Sequence, residues 1–345
     1  MRILIATDTW HPQVNGVLRS LLATAQALER LGTSVTFLNY EGLRTVPLPN
    51  YPEIRMAVPR PAEIAARIAA ARADAIHIAT EGTIGHLVRR HCVAAGRPFT
   101  SSFHTRLPDY LSVRMPWPER WTERGAWAWL RRFHAPSAGV FAATPALARE
   151  LRERSFRNVM LSPLGVDTAL FRPRPSAGLG LPRPVFLSVG RLAVEKNLEA
   201  FLSLDLPGTK VVVGDGPART ALAARFPDAV FLGMRNGEEL AAIYAAADAF
   251  VFPSRTDTFG LVMLEALASG VPVAAYPVTS PRDVVGDTPV GALDADLRAA
   301  CLRALTLSRT ACRDFALAMS WDAAARRFLV NIAQAASAAV SPAAA

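Results

Sequence analysis

Short runs of apolar, β-branched residues recur along this chain with stretches of helical composition between them, and the whole series occurs twice. Candidate strands in the first series lie at 3–6, 35–38, 54–58, 75–78, 99–103, 139–142 and 159–161, with helical stretches at 17–31, 61–72, 84–95, 119–134 and 145–154. The pattern restarts with candidate strands at 185–189, 210–213, 230–232, 249–252 and 271–275. Strands that read apolar throughout are buried on both faces, and when they alternate with helices they build parallel sheets in an α/β architecture. Two series predict two doubly wound, Rossmann-like domains, at 1–170 and 185–320. The join falls in 171–184, where FRPRPSAGLGLPRP has no periodicity and many Pro and Gly residues. A helical stretch at 321–336 is expected to return to the first domain, and the Ala/Ser/Pro tail at 337–345 is expected to be disordered.

Composition narrows the class. With 51% hydrophobic and 19% charged residues there is ample material for two cores. The longest uncharged runs, 266–281 and 328–345, are interrupted by Gly and Pro or padded with small polar residues, so neither reads as a membrane span. The opening MRILIATD reaches an aspartate too early for a signal-peptide core, and three scattered cysteines suggest neither a disulfide framework nor paired metal ligands. The expectation is a cytoplasmic protein. Its net charge of +9 is unevenly placed: residues 1–172 carry 22 arginines against 13 acids, whereas 173–345 carry 16 of each sign. The first half is therefore expected to meet something anionic, either a membrane surface or nucleic acid.

Ligands of open parallel sheets bind beyond the carboxyl ends of the strands. After 185–189 comes Gly190-Arg191-Leu192-Ala193-Val194-Glu195-Lys196-Asn197. A guanidinium fork and an ammonium on one loop suit a diphosphate; equally, Lys196 pairs with Glu195 or Glu199 on an ordinary surface. That Lys196 is one of only two lysines in the chain tilts the balance toward function. After 249–252, the segment from Ser254 to Glu265 contains Asp257, Phe259, Gly260 and Leu261 and reads as a loop entering a helix. Asp257 either caps that helix or grips a ligand. Glu265 lies two turns on, about 10 Å along the axis, which is far for a hydrolytic carboxylate pair at about 5–9.5 Å. Gly214-Asp215-Gly216-Pro217 is a further glycine turn, but Arg219 stands where a dinucleotide fingerprint has its third glycine. His104 follows a strand, and Asn15-Gly16 follows the first one. Asp294-Ala295-Asp296 reads as a solvated helix start, and no metal site is expected.

The stretch 117–134 carries the first half's clearest surface signal. Arg120, Arg124, Trp127 and Arg131 follow one helix face, with Trp117 and Trp121 beside it, while Ala126, Trp129, Leu130 and Phe133 form an apolar stripe. A basic, aromatic face binds anionic lipid headgroups; a core-packed helix with solvated arginines is the plainer alternative.

In combination these motifs resemble the family 4 (group 1) retaining glycosyltransferases of the GT-B fold. The resemblance rests on the opening strand with its Pro–Asn–Gly loop, FHT at 103–105, Gly165-Val166-Asp167 followed by Phe171-Arg172-Pro173, GRLAVEKN at 190–197, GDGP at 214–217, and DTFG through Glu265 to Pro272. Asp257 stands where the family usually has the first of two glutamates, as in bacterial mannosyl- and glycolipid-forming transferases. The resemblance implies two Rossmann-like domains facing each other across a cleft, the first binding acceptor and the second a nucleotide-sugar donor. It implies that Arg191 and Lys196 hold the donor diphosphate with Gly16, Gly190, Gly214 and Gly216 close by. Asp257, with Phe259, Gly260 and Leu261, would meet the sugar, Glu265 the ribose, and His104 the reacting centre. It further implies retention of configuration, the departing phosphate taking the acceptor's proton, without metal or other cofactor. GDP-mannose is the first-choice donor. A lipid or lipid-linked acceptor at the inner membrane surface is expected, with Arg106 beside the acceptor. The alternatives are a UDP-glucose or UDP-glucuronate enzyme making a glycosyl diacylglycerol or glycosphingolipid, and a basic nucleic-acid-binding protein. The last is disfavoured because no recognition element is present.

Overall fold

A computed structural model describes residues 1–11, 16–48, 51–104, 119–174, 178–257 and 259–340. The chain divides into two compact units, Met1–Pro163 with Trp321–Ala345, and Leu164–Ser320.

The first unit holds a six-stranded parallel sheet built from β1 (Arg2–Ala6), β2 (Ser34–Leu38), β5 (Ala75–Ile78), β6 (Thr100–Phe103), β7 (Gly139–Ala142) and β8 (Val159–Leu161), in the order β2-β1-β5-β6-β7-β8. The expected strands and helices fall within a residue or two of these elements. One expectation fails. The run at 54–58 belongs to β4 (Tyr51–Ala57), which pairs antiparallel with β3 (Thr45–Leu48) in a separate two-stranded ribbon. Its centre alternates polar and apolar residues, and Arg55 Nε donates to Thr45 Oγ1 at 2.8 Å across the ribbon, which suits a half-exposed pair rather than a buried parallel strand.

Ile3 and Ile5 of β1 pack with Leu21 and Leu28 of helix Gly16–Arg30 and with Ala325, Phe328 and Ile332 of the last helix, Trp321–Val340. Arg30 also pairs with Asp322 at 2.6 Å, and Asn331 Nδ2 donates to Leu161 O at 2.9 Å. The last helix thus completes the first unit's core. It runs to Val340, through residues expected to be disordered, because its alanines favour helix.

The second unit repeats the plan with β9 (Val185–Val189), β10 (Thr209–Val213), β11 (Val230–Gly233), β12 (Ala249–Phe252), β13 (Val273–Ala275) and β14 (Gly291–Leu293), in the order β11-β10-β9-β12-β13-β14. It begins before the expected linker, at Leu164. Arg313 explains why: its guanidinium donates to the carbonyls of Thr168, Phe171 and Ala268, tying 164–171 to this unit. The order reverses between β9 and β12, so loops following these two strands flank a topological switch point, where open sheets place their ligands.

Candidate functional site

At that switch point, the loop after β9 makes one 3-10 turn, Val194–Lys196, and leaves it through Asn197 in a left-handed conformation (φ 52°). Asn197 Nδ2 donates to Pro253 O at 3.1 Å, and the Ser254 hydroxyl to Glu195 O at 3.3 Å. These two bonds join the loops after β9 and β12. Across the join, Lys196 Nζ lies 2.5 Å from Asp257 Oδ1, with side chains 28% and 18% exposed. Neither carboxylate proposed from spacing is its partner: Glu199 pairs with Arg225 at 2.7 Å instead. Arg191 is exposed at the start of the same loop.

Helix Leu261–Ala268 begins at Gly260, whose φ of 78° and lack of a side chain let the chain turn beside Phe252 and Met263. Among the described residues no side chain caps this helix, and Asp257 pairs with Lys196 instead of capping it. The amide end of the helix and Lys196 favour an anion, while Asp257 offers acceptor oxygens for hydroxyl groups. Phe259 is buried and its carbonyl accepts from Ser280 Oγ at 2.6 Å. Glu265 is 4% exposed, and its Oε2 accepts from Tyr244 OH at 2.9 Å.

The turn after β10 lies against the loop after β9. Leu192 N donates to Asp215 O and Gly190 N to Val213 O. A Cβ on Gly214 would stand 1.9 Å from Gly190 O, so only glycine fits there. A Cβ on Gly216 would meet Leu192 O at 2.5 Å. Arg219, in place of a third fingerprint glycine, reaches back to Asp215 at 3.0 Å. The second unit therefore gathers Gly190, Arg191, Lys196, Gly214, Gly216, Asp257, Phe259, Gly260, Leu261 and Glu265 on loops and a helix end at one edge of one sheet.

In the first unit, Gly16 opens helix Gly16–Arg30 and is exposed; 12–15 lie outside the described residues. His104 directly follows β6. Its Nε2 is buried with no hydrogen-bond partner among the described residues, and burial pushes its pKa down while the charge of Glu81 pulls it up. An unpaired buried ring nitrogen is costly unless something outside the fold satisfies it. Sequence reasoning missed Asp8, the residue that fixes the first unit's own switch point. It accepts from the amides of Ile84 and Gly85 at 2.8 and 3.2 Å and from Thr80 Oγ1 at 3.0 Å. Its position just after β1 was the available signal.

The membrane-facing residues need correction. Arg106 and Trp117 lie outside the described residues, and the side chains of Arg120 and Trp121 are likewise outside them. Trp127, assigned to the basic face, is 6% exposed. It stacks on Phe103 at 5.7 Å, and the Arg154 guanidinium lies 4.0 Å over its ring. Trp129, assigned to the core stripe, is 39% exposed and stacks on His86 at 5.3 Å. The buried positions are Ala126, Trp127, Leu130, Phe133 and His134, which centres the stripe on Trp127 and Leu130. Arg124 and Arg131 are exposed, as is Arg132. No helix among the described residues is long and apolar enough to cross a membrane. Nor do the described residues contain a cluster of three or more metal-ligating side chains. Asp294 and Asp296 are accounted for: Asp296 caps helix Leu297–Ala304, and Asp294 pairs with Arg303 at 2.6 Å.

Two family models match the chain, Glycosyltransferase Family 4 over residues 14–170 and Glycosyl transferases group 1 over 183–306. A GDP-mannose-dependent alpha-mannosyltransferase of Mycobacterium tuberculosis is 31% identical over 83% of this chain and 81% of its own. The chain belongs to the family 4 (group 1) glycosyltransferases. An alpha-monoglucosyldiacylglycerol synthase of Streptococcus pneumoniae is 29% identical over 88% of this chain and 78% of that one. Among solved structures, the sucrose-phosphate synthase of Thermosynechococcus elongatus superposes with a TM-score of 0.78 at 21% identity, covering 98% of this chain and 99% of its own. The fold is GT-B, and this glycosyltransferase has mannosyltransferase and glycolipid-synthase homologues.

Proposed function

We propose that this glycosyltransferase moves a mannosyl group from GDP-mannose to a lipid or lipid-linked acceptor, with retention of configuration and without a metal ion. The observation that carries the reading is the Lys196–Asp257 pair at the switch point, where a cation and a hydroxyl acceptor stand together. Lys196 and Arg191 take the two phosphates of the donor, assisted by the amide end of helix Leu261–Ala268. Asp257 accepts from sugar hydroxyls, Glu265 from the ribose, and Gly214 and Gly216 line the nucleotide. His104 Nε2 and Gly16 are the first unit's own candidates for contact with a substrate.

As the bond from the anomeric carbon to the diphosphate breaks, positive charge grows on the sugar and negative charge on the leaving group. Fixed cations at the leaving group lower that barrier, each such group being worth roughly 10²–10³ in rate. The acceptor hydroxyl attacks on the leaving-group face, and its proton passes to the departing phosphate oxygen. No protein nucleophile is used. GDP-mannose is favoured by the GDP-mannose-dependent relative at 31% identity; the glucolipid synthase relative keeps a UDP-hexose as the second reading. The lipid acceptor is supported by the same synthase and by the arginine-rich first half, whose exposed Arg124, Arg131 and Arg132 would meet anionic headgroups at the inner membrane face. Nucleic acid is not a proposed partner.

The test is turnover with vesicles of phosphatidylglycerol and diacylglycerol in the presence of a chelator. GDP release and a mannolipid from GDP-mannose, with no product from UDP-glucose, support the reading. Glucolipid from UDP-glucose alone would replace it with the second.

A further inference from the structure

Three elements converge on one carboxylate in the first unit. β5 and β6 are parallel with His77 level with Thr100 and Ile78 with Ser101. The His134 ring packs 6.1 Å from that of Phe103, the last residue of β6 and the one before His104. From the last turn of helix Glu119–His134, His134 Nε2 lies 3.2 Å from Glu81 Oε1. The ring's other nitrogen, Nδ1, is 2.8 Å from Ser101 Oγ, which is 2.7 Å from Ser137 Oγ. Every contact is served when the Ser137 and Ser101 hydroxyls and the ring form one chain that ends with Nε2–H donating to the carboxylate. On its other side, the loop carrying Glu81 is held through Thr80, whose hydroxyl donates to Asp8. The Glu81 side chain is 14% exposed, so its charge is weakly screened by solvent.

We propose that Glu81, oriented by the Ser137–Ser101–His134 chain, is the positioning residue of His104: it supplies fixed negative charge beside that ring and beside the sugar whose positive charge grows during transfer. The second clause rests on the reading that His104 meets the donor sugar. Among the described residues, His77 also feels the charge of His104. His77 is neutral, held between Thr100 Oγ1 at 2.8 Å and Ser102 Oγ at 2.9 Å, and burial lowers its pKa to about 3. His134 donates to Glu81 itself. Glu81 is the acid that acts on His104, raising a pKa that burial lowers.

The test separates charge from shape. In Glu81→Gln the amide oxygen still accepts from His134, while Glu81→Asp keeps the charge on a shorter arm. Histidine side-chain NMR titration of the whole protein, without substrate, is expected to show the His104 midpoint falling in Glu81→Gln, staying closer to wild type in Glu81→Asp, and His77 unmoved in both. With GDP-mannose, donor hydrolysis in Glu81→Gln is expected to lose about tenfold or more in kcat with KM unchanged, because Glu81 is not among the groups assigned to the diphosphate. An unmoved His104 midpoint in Glu81→Gln, or equal losses in the Gln and Asp variants, would overturn the proposal. A shifted midpoint in a protein that turns over no nucleotide sugar would overturn the functional reading and the sugar clause with it, and leave the charge relation standing.

Discussion

Replacing Asp257 with asparagine separates two jobs proposed for the Lys196–Asp257 pair. The side chains are 28% and 18% exposed and 2.5 Å apart. Exposed pairs contribute about 0–1 kcal/mol and removal of a fully buried partner costs about 3–5 kcal/mol, so this intermediate pair is worth about 1–2 kcal/mol to the fold. At about 2–4 °C per kcal/mol for a domain this size, the second unit should melt roughly 2–8 °C lower. Asparagine leaves Lys196 with its charge uncompensated. A nucleoside diphosphate no longer competes with a carboxylate for that ammonium, and about 1 kcal/mol of relief makes GDP bind about fivefold tighter. Transfer moves the other way, losing about 10²–10³ because the sugar's hydroxyls lose an ionised acceptor that acts in the transition state. Calorimetric titration with GDP and turnover of GDP-mannose on one sample measure both. Tighter product binding with slower turnover is the expected outcome. If GDP affinity fell in step with turnover, Asp257 would be part of the diphosphate grip and the division of labour would be wrong.

Three further outcomes follow from the same geometry. Gly214→Ala places a Cβ 1.9 Å from Gly190 O; the cost of about 3 kcal/mol or more should lower the second unit's melting by roughly 6–12 °C, and a melting curve like wild type would contradict the packing of the two loops. Trp127→Ala should destabilise the first unit by about 3–5 kcal/mol in chemical denaturation, whereas Trp129→Ala, at a more exposed ring, should cost clearly less; equal losses would contradict the burial of Trp127. Because His77 is held neutral with a pKa of about 3 against 6.5 when unfolded, the unfolded chain binds more protons between those values. Stability should therefore fall as pH drops from 6.5 toward 3, with this one proton contributing up to about 1.4 kcal/mol per pH unit. His77→Gln should flatten that slope, and an unaltered slope would place the acid sensitivity elsewhere.

Much of the architecture was legible because parallel strands buried on both faces leave continuous apolar runs, and the candidate loops of the second unit were legible because they follow such strands. Partnerships across long sequence distances were not. Nothing local says that Lys196 chooses Asp257 over Glu199, since sheet order brings the loops after β9 and β12 together. Trp127 and Trp129 were exchanged for a related reason: two tryptophans two positions apart straddle the edge of a helical stripe, and ring contacts with Phe103 and Phe156, distant in sequence, decide which is buried. β14 was not legible because Gly291-Ala292-Leu293 holds no β-branched or aromatic residue to mark a strand. Glu81 carries no motif, and its role emerges only when His134 arrives from a helix far along the chain.

The most direct measurement is calorimetric titration of GDP and UDP into wild-type, Arg191→Ala and Lys196→Ala protein, all in chelator and all shown to be folded. The account predicts that GDP binds the wild-type protein and UDP does not, and that either alanine variant loses about tenfold or more in affinity, the ~1.4 kcal/mol or more expected of a charge-assisted phosphate contact. Folded wild-type protein that binds neither nucleotide, or alanine variants that bind GDP as wild type does, would contradict it.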